Sequence, residues 1–391
     1  MSVEVHSLGC RLNLAESEQL RGLLAGTSDL VVVNSCAVTA EAVRQTRQTI
    51  RRARRERPDA RLLVTGCAAE IERSALAAMP EVDGLIANAA KLDPRAWNVP
   101  PVRPDAESRA HTRAFVQVQN GCDHACTFCV IPQGRGPSRS RHIAEVLGEV
   151  VRHVAAGVGE VVLTGVDLTS WGHDLPGEPS LGKLCEAILE QSASLPRLRL
   201  SSVDGAEVDG RLFELLASEQ RMMPHLHLSL QSGDDMILKR MKRRHSRADA
   251  IALVERLRAR RSDLSVGADL IAGFPTETDD MHRASVSIIA ALGVVHGHVF
   301  PYSQRPATPA ARMPQVGPDT ARARARELRE AVARQRVQWL ASLIGTELSV
   351  LAERGGTGHS AQFAPVRLAH GTRPGALLRL VPARVVEGML E

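Results

Sequence analysis

The stretch Asn120-Gly-Cys122-Asp-His-Ala-Cys126-Thr-Phe-Cys129-Val-Ile-Pro132 decides how the rest of the chain is read. Its three cysteines stand at C-x-x-x-C-x-x-C spacing, with an aromatic residue, Phe128, just before the last. Three thiolates this close in sequence can converge on one metal centre, and no fourth cysteine lies nearby to complete a four-thiolate shell. A cubane iron–sulfur cluster held by three thiolates keeps one iron open to an outside ligand. A structural zinc site would show four ligands, often as paired C-x-x-C units. His124 could be the fourth ligand here, from a cramped position between two of the cysteines. Three clustered cysteines cannot pair among themselves as disulfides.

Around this loop lies a chain of 391 residues, long enough for two or three domains, with 44% hydrophobic residues to build ordinary cores. The start, Met-Ser-Val-Glu-Val-His, has no basic segment followed by an apolar run, so no signal peptide is expected. No uninterrupted apolar stretch of about eighteen residues exists, so no membrane span is expected. The expected location is the cytosol, where the seven cysteines read as metal ligands or free thiols. The net charge of +5 is compatible with a polyanionic partner.

Residues 1–97 alternate strand and helix. Val3-Glu-Val-His-Ser-Leu8, Leu30-Val-Val-Val-Asn34 and Arg61-Leu-Leu-Val-Thr65 read as strands, with a fourth around 82–86. Helices are expected at 16–24 and 40–57. Continuous apolar runs joined by helices imply a parallel sheet with right-handed crossovers. Cys10, Cys36 and Cys67 then fall in the loops after three successive strands, where open α/β sheets gather their ligands. Three such loops can bring three sulfurs onto one cluster. The competing reading is three unrelated buried cysteines, since cysteine is often buried.

Residues 98–110, rich in proline and charge, read as a linker. Residues 111–336 hold about six strand–helix units, suited to a partial parallel barrel with its site at the carboxyl ends of the strands. A long Arg-rich helix is expected at 319–343, and residues 337–391 close with short β-like runs separated by glycines, a small all-β barrel. Cys185, on an expected helix, reads as a core residue.

Assembled, these parts resemble the methylthiotransferase family of radical S-adenosylmethionine (SAM) enzymes over nearly the whole chain. The most specific stretches are Leu8-Gly-Cys10-Arg-Leu-Asn13, Asn34-Ser-Cys36-Ala-Val-Thr39, Thr65-Gly-Cys67-Ala and the cluster loop. The resemblance implies an N-terminal α/β domain, a radical SAM partial (β/α)6 barrel and a C-terminal RNA-binding β-barrel of the TRAM type, here a short one. Cys129-Val-Ile-Pro-Gln-Gly-Arg-Gly-Pro-Ser-Arg-Ser-Arg141 and His225-Leu-His-Leu-Ser-Leu-Gln-Ser-Gly233 look most like the branch acting on N6-threonylcarbamoyladenosine beside the tRNA anticodon. Sister branches act on N6-isopentenyladenosine or on an aspartate of a ribosomal protein.

By that resemblance, Cys122, Cys126 and Cys129 hold the 4Fe-4S cluster that cleaves SAM, and Cys10, Cys36 and Cys67 hold an auxiliary 4Fe-4S cluster carrying the sulfur to be transferred. C2 of adenine is unactivated, so a radical is a reasonable device and the cofactor carries the hard step. Phe128 is expected to flank the SAM adenine, Gly165 to let the backbone approach its amino group, and Ser201 and Ser202 to reach its ribose. A strand-end glycine is usually only a turn. The substrate carboxylate calls for an arginine. Arg135, Arg139 and Arg141 on the loop after Cys129, with Arg240, Arg243 and Arg244 after Gln231, are the candidates; meeting only tRNA phosphates is their alternative. Basic runs at 51–57, 239–247 and 322–336 are further candidates for phosphate contact, or solvated faces. Partners expected are a tRNA anticodon stem-loop, an electron donor such as flavodoxin or ferredoxin, and a sulfur source. Two other classes compete with this reading. A two-cluster electron-transfer protein needs four ligands on each centre, against three and three here, and a degenerate RNA-binding barrel would not need the intact cysteine set.

Overall fold

The computed structural model describes residues 3–100 and 112–391. The expected linker therefore lies, from residue 101 on, outside the described residues.

The first sheet is parallel and runs in sequence order: Glu4–Ser7, Leu30–Ser35, Arg61–Gly66 and Gly84–Leu85. Strand Leu30–Ser35 is buried at every position, as its unbroken apolar run requires. Helix Ala40–Glu56 crosses between the second and third strands, its first turn capped by Thr39, whose hydroxyl accepts from the Ala42 amide at 3.1 Å. The first helix is longer than its sequence pattern indicates: it begins at Arg11, not Glu16. Asn13, before the expected helix, and Glu16, its expected first residue, are both buried and paired by groups distant in the chain. Cys67 differs too, opening the short helix Cys67–Ile71 instead of sitting in a loop.

The second body is a partial barrel of six parallel strands, built as two three-stranded sheets. Arg113–Gln117, Glu160–Thr164 and Leu198–Leu200 form one; His225–Gln231, Ser265–Ala272 and Val294–Pro301 form the other. Single bridges at Leu198–Met222 and Val203–Leu228 join them. The barrel and its helices share one apolar core that includes Val116, Leu163, Leu228 and Val266, and Cys185 is fully buried in it as read from the sequence. Helix Pro318–Ser342 packs on the last strand, where a β-carbon at Gly297 would lie 2.6 Å from Val332, so only glycine allows the approach. Leu328 and Val332 of this helix complete the barrel core, whereas Leu340 belongs to the core of the C-terminal sheet.

That last sheet has six strands, beginning with Leu348–Ala352 and Thr357–Ser360. Its loop residue Phe363, at φ +73°, reaches the amino-terminal mouth of the barrel. The ring lies 4.9 Å from the Arg199 guanidinium, 5.4 Å from that of Arg113 and 5.6 Å from that of Arg11, and it packs beside His225, His296 and His359. Arg113 and Arg199 both donate to the fully buried Glu160 carboxylate, at 2.7 and 2.9 Å. Among the described residues, no helix is long and apolar enough to cross a membrane.

Candidate active site

Each cysteine set is positioned by polar side chains that staple loops together. At the first sheet, Asn13 Nδ2 donates to the Leu8 carbonyl at 2.7 Å and to the Ser35 carbonyl at 3.0 Å, tying the Cys10 loop to the Cys36 loop. Ser35 Oγ donates to the Thr65 carbonyl and accepts from the Ala69 amide, adding the Cys67 segment. The loops close so tightly that a β-carbon at Gly9 would lie 2.5 Å from Cys36 Sγ. All three thiols are free. Burial, and then the neighbouring Cys10 and Cys67, push the Cys36 thiol up to about 11. Burial also raises Cys67, opposed by the cations of Arg135 and Lys91.

In the cluster loop, backbone amides of His124 and Ile131 point at Cys122 and Cys129 Sγ, both at 3.4 Å, and Arg243 Nη1 points at Cys126 Sγ at 3.6 Å. Burial followed by Asp167 pushes Cys122 up to about 12. Burial pushes Cys129 to about 11, and the thiols raising it further include Cys67 of the other set. The two sets are thus neighbours. A β-carbon at Gly134 would lie 3.2 Å from Cys67 Cβ, and Asn88 Nδ2 donates to the Gly134 carbonyl at 2.7 Å while lying 3.9 Å from Cys67 Sγ.

The donor sets fit clusters better than single ions. Three thiolates on one zinc, with bonds of about 2.3 Å, must lie within about 4.6 Å of each other. Among the described residues, the trios whose ligand atoms lie within 4.8 Å are Cys122–His124–Asp167, His227–Asp269–His298 and His124–Asp204–Glu207, and neither full cysteine set is one of them. His124 is engaged by Asp167 at 2.7 Å. Free thiols that perturb each other yet spread beyond one ion's reach suit a cubane, which binds thiolates at separate irons. The N–H donors on sulfur and the nearby cations oppose part of the rise that burial imposes on these thiols.

Several positioning residues left no signal in the sequence reading. Gln119 is the strongest: its Nε2 donates to the Gly121 carbonyl at 2.8 Å and to Ser138 Oγ at 2.9 Å, while its Oε1 accepts from the amides of Val166 and Asp167 at 3.0 and 2.9 Å. It clamps the cluster loop to the next strand end. Gly165 owes its lack of a side chain to this clamp, since a β-carbon there would lie 2.9 Å from Gln119 Oε1. Asp204 and Glu207, beyond the third barrel strand, pair with Arg243 at 2.9 Å and Arg244 at 2.7 Å. Burial would raise the Asp204 carboxyl, but His245 and Arg243 outweigh it and hold it well below the usual carboxylate range.

Of the expected SAM contacts, Phe128 is half-buried with its ring edge-on to Phe274, at 6.4 Å between centroids. Ser201 is buried with its hydroxyl unpaired, and Ser202 is half-buried. The six arginines are scattered in role. Arg135 is buried against Glu16 at 2.8 Å and Asn13 at 2.6 Å, so it is a structural ion-pair partner with no face to offer a substrate. Arg141 is held by Glu149 at 2.6 Å and Arg243 by Asp204. Arg240 bonds Thr276, Arg244 pairs with Glu207, and Arg139 is exposed on backbone carbonyls of Pro137 and Arg135.

Residues 116–287 match the Radical SAM superfamily, and residues 2–87 match the uncharacterized protein family UPF0004. The chain is 43% identical, over 99% of its length and 96% of the relative's, to threonylcarbamoyladenosine tRNA methylthiotransferase MtaB of Rickettsia prowazekii. It is 32% identical to a tRNA-2-methylthio-N(6)-dimethylallyladenosine synthase of Chloroflexus aurantiacus, over 97% of this chain and 88% of that one. Among solved structures, the radical S-adenosylmethionine methyltransferase TsrM of Kitasatospora setae is similar in fold, with TM-score 0.54 and 18% identity over 76% of this chain and 66% of that one.

Proposed function

The chain belongs to the radical SAM tRNA methylthiotransferases, and from that premise we propose that it transfers a methylthio group to C2 of N6-threonylcarbamoyladenosine beside the tRNA anticodon. The observation that carries this reading is the contact between the two cysteine sets, with Gly134 of the cluster loop against Cys67. Sulfur transfer to a radical carbon needs a radical source and a sulfur donor at one place. The branch is supported by the higher identity to the threonylcarbamoyl relative, 43% against 32%.

SAM and one 4Fe-4S cluster come with the family; a second cluster at Cys10, Cys36 and Cys67 is part of the proposal. When bound, these groups supply the electron, the radical and the sulfur that an unactivated ring carbon requires. Cys122, Cys126 and Cys129 would hold the first cluster, with the Arg243 guanidinium 3.6 Å from Cys126 Sγ. Gln119 fixes that loop against the Gly165 turn, where Phe128, Ser201 and Ser202 would bind SAM. Arg135 and Lys91 bring positive charge to the auxiliary thiols. Phe363, with the Arg113 and Arg199 guanidinium groups beside its ring, packs at the amino-terminal end of the barrel. Electron balance requires an outside one-electron donor such as flavodoxin or ferredoxin, and atom balance a sulfur source.

The test offers the anaerobically reconstituted enzyme one anticodon stem-loop in three forms: threonylcarbamoylated, isopentenylated and unmodified. Methylthiolation of the first alone is expected. Preferred turnover of the isopentenylated RNA, or of a ribosomal-protein aspartate, overturns the branch and leaves the radical chemistry standing.

A further inference from the structure

Arg11 follows the auxiliary cysteine Cys10 directly and opens the first helix. Its side chain is half-buried. It enters the barrel, 5.6 Å from the Phe363 ring, within electrostatic reach of Arg199, Arg113, Glu160 and Asp269. It makes no side-chain hydrogen bond and no ion pair among the described residues, and it faces the Phe363 ring. Every nearby acid is already engaged. Glu160 takes Arg113 and Arg199, Glu353 takes Arg113, and Asp269 takes His227 and His298 at 3.1 and 3.0 Å.

Arg11 is thus half-buried. A guanidinium stays charged in proteins, and none of the described carboxylates pairs with this one directly. Such a group gains most from an anion brought by a ligand, and a carboxylate fits its planar fork.

We propose that Arg11 is the specificity-determining residue that receives the carboxylate of the threonylcarbamoyl group. This rests on the function proposed above. In adenine, N6 and C2 sit on carbons that flank N1, so a group read through the N6 substituent presents C2 nearby. The adjacency of Arg11 to Cys10 couples the two events: the residue that grips the carboxylate is next in the chain to a thiol of the sulfur-bearing site. An isopentenyl group would leave the cation unpaired, which rejects it more strongly than a missing apolar contact would.

Binding to the reconstituted protein without SAM tests this, by anisotropy of labelled stem-loops carrying the threonylcarbamoyl acid, its carboxamide, or plain adenosine. The unaltered protein should prefer the acid to the amide by about tenfold to a hundredfold, the worth of charged hydrogen bonds. In Arg11→Gln the two should bind alike, and Arg11→Lys should recover part of the preference. Three results each overturn the inference: no acid preference in the unaltered protein, a full preference surviving in Arg11→Gln, or an equal weakening toward all three RNAs. The acid-over-amide comparison needs no variant, so a poorly folding Arg11→Gln leaves it decisive. If the acid stem-loop binds by preference yet is never methylthiolated, the proposed function fails instead.

Discussion

Glu16 and Arg135, 119 positions apart in the chain, form an ion pair at 2.8 Å with both side chains withdrawn from solvent. Glu16 belongs to the first helix and Arg135 to the end of the cluster loop, so the pair joins the bodies that bear the two cysteine sets. Lys91 adds a second cation on Glu16 at 2.6 Å, and Asn120 accepts from Arg135 at 2.8 Å. Burial would raise the Glu16 carboxyl, but Lys91 and Arg135 outweigh it and hold it lowered.

Removing the one acid should therefore cost far more than a surface pair would. Glu16→Gln leaves two buried cations uncompensated, and the expected loss is about 3 kcal/mol or more. Urea unfolding of the reconstituted protein should show a lower midpoint. An unchanged midpoint would mean that the pair contributes nothing net.

Iron content and product analysis separate the two cysteine sets. Reconstituted protein should hold about eight irons, and replacing Cys122, Cys126 and Cys129 by Ala should leave about four. Cys36→Ala should still release 5′-deoxyadenosine from SAM while making no methylthiolated RNA. Cys126→Ala should lose both products. Methylthiolation by Cys36→Ala would refute the division of labour.

The histidines under the barrel set a pH dependence. Burial and Arg199 hold His225 well below its ordinary value; burial and Arg336 hold His296 at about 3. Both stay neutral in the fold at pH values where the unfolded chain takes up protons, beginning near 6.5. Their contribution is complete above that value and falls as the pH drops from about 6.5 towards 3, by up to about 1.4 kcal/mol per unit for each histidine. Urea midpoints at pH 7.5 and 5.5 should differ accordingly, and His296→Phe should flatten the difference. Equal slopes in the two proteins would contradict it.

What could be read beforehand was whatever leaves a local trace. The apolar run Leu30-Val-Val-Val is a buried parallel strand because nothing else buries consecutive side chains on both faces. The six cysteines announced themselves through strand ends and short spacing. Pairings between distant positions leave no period and no motif. Arg135 read as a free basic residue because its partner, Glu16, lies in another body, and Arg11 read as part of a motif whose cysteine took all the weight. Gln119 was hidden at the end of an alternating strand, where its amide looked like an outward-facing residue instead of a clamp.

Phe363 also constrains the order in which the protein can come into being. Domains fold largely as they leave the ribosome, amino-terminal parts first. The Phe363 ring emerges after the last barrel strand, Val294–Pro301, and after the whole of helix Pro318–Ser342. A nascent chain paused between Pro301 and Phe363 carries all six barrel strands without the ring that packs at their amino-terminal ends. The amino-terminal end of the barrel thus gains its aromatic packing only late in synthesis, so a barrel loaded with oxygen-sensitive contents before translation has passed this residue would lack that packing.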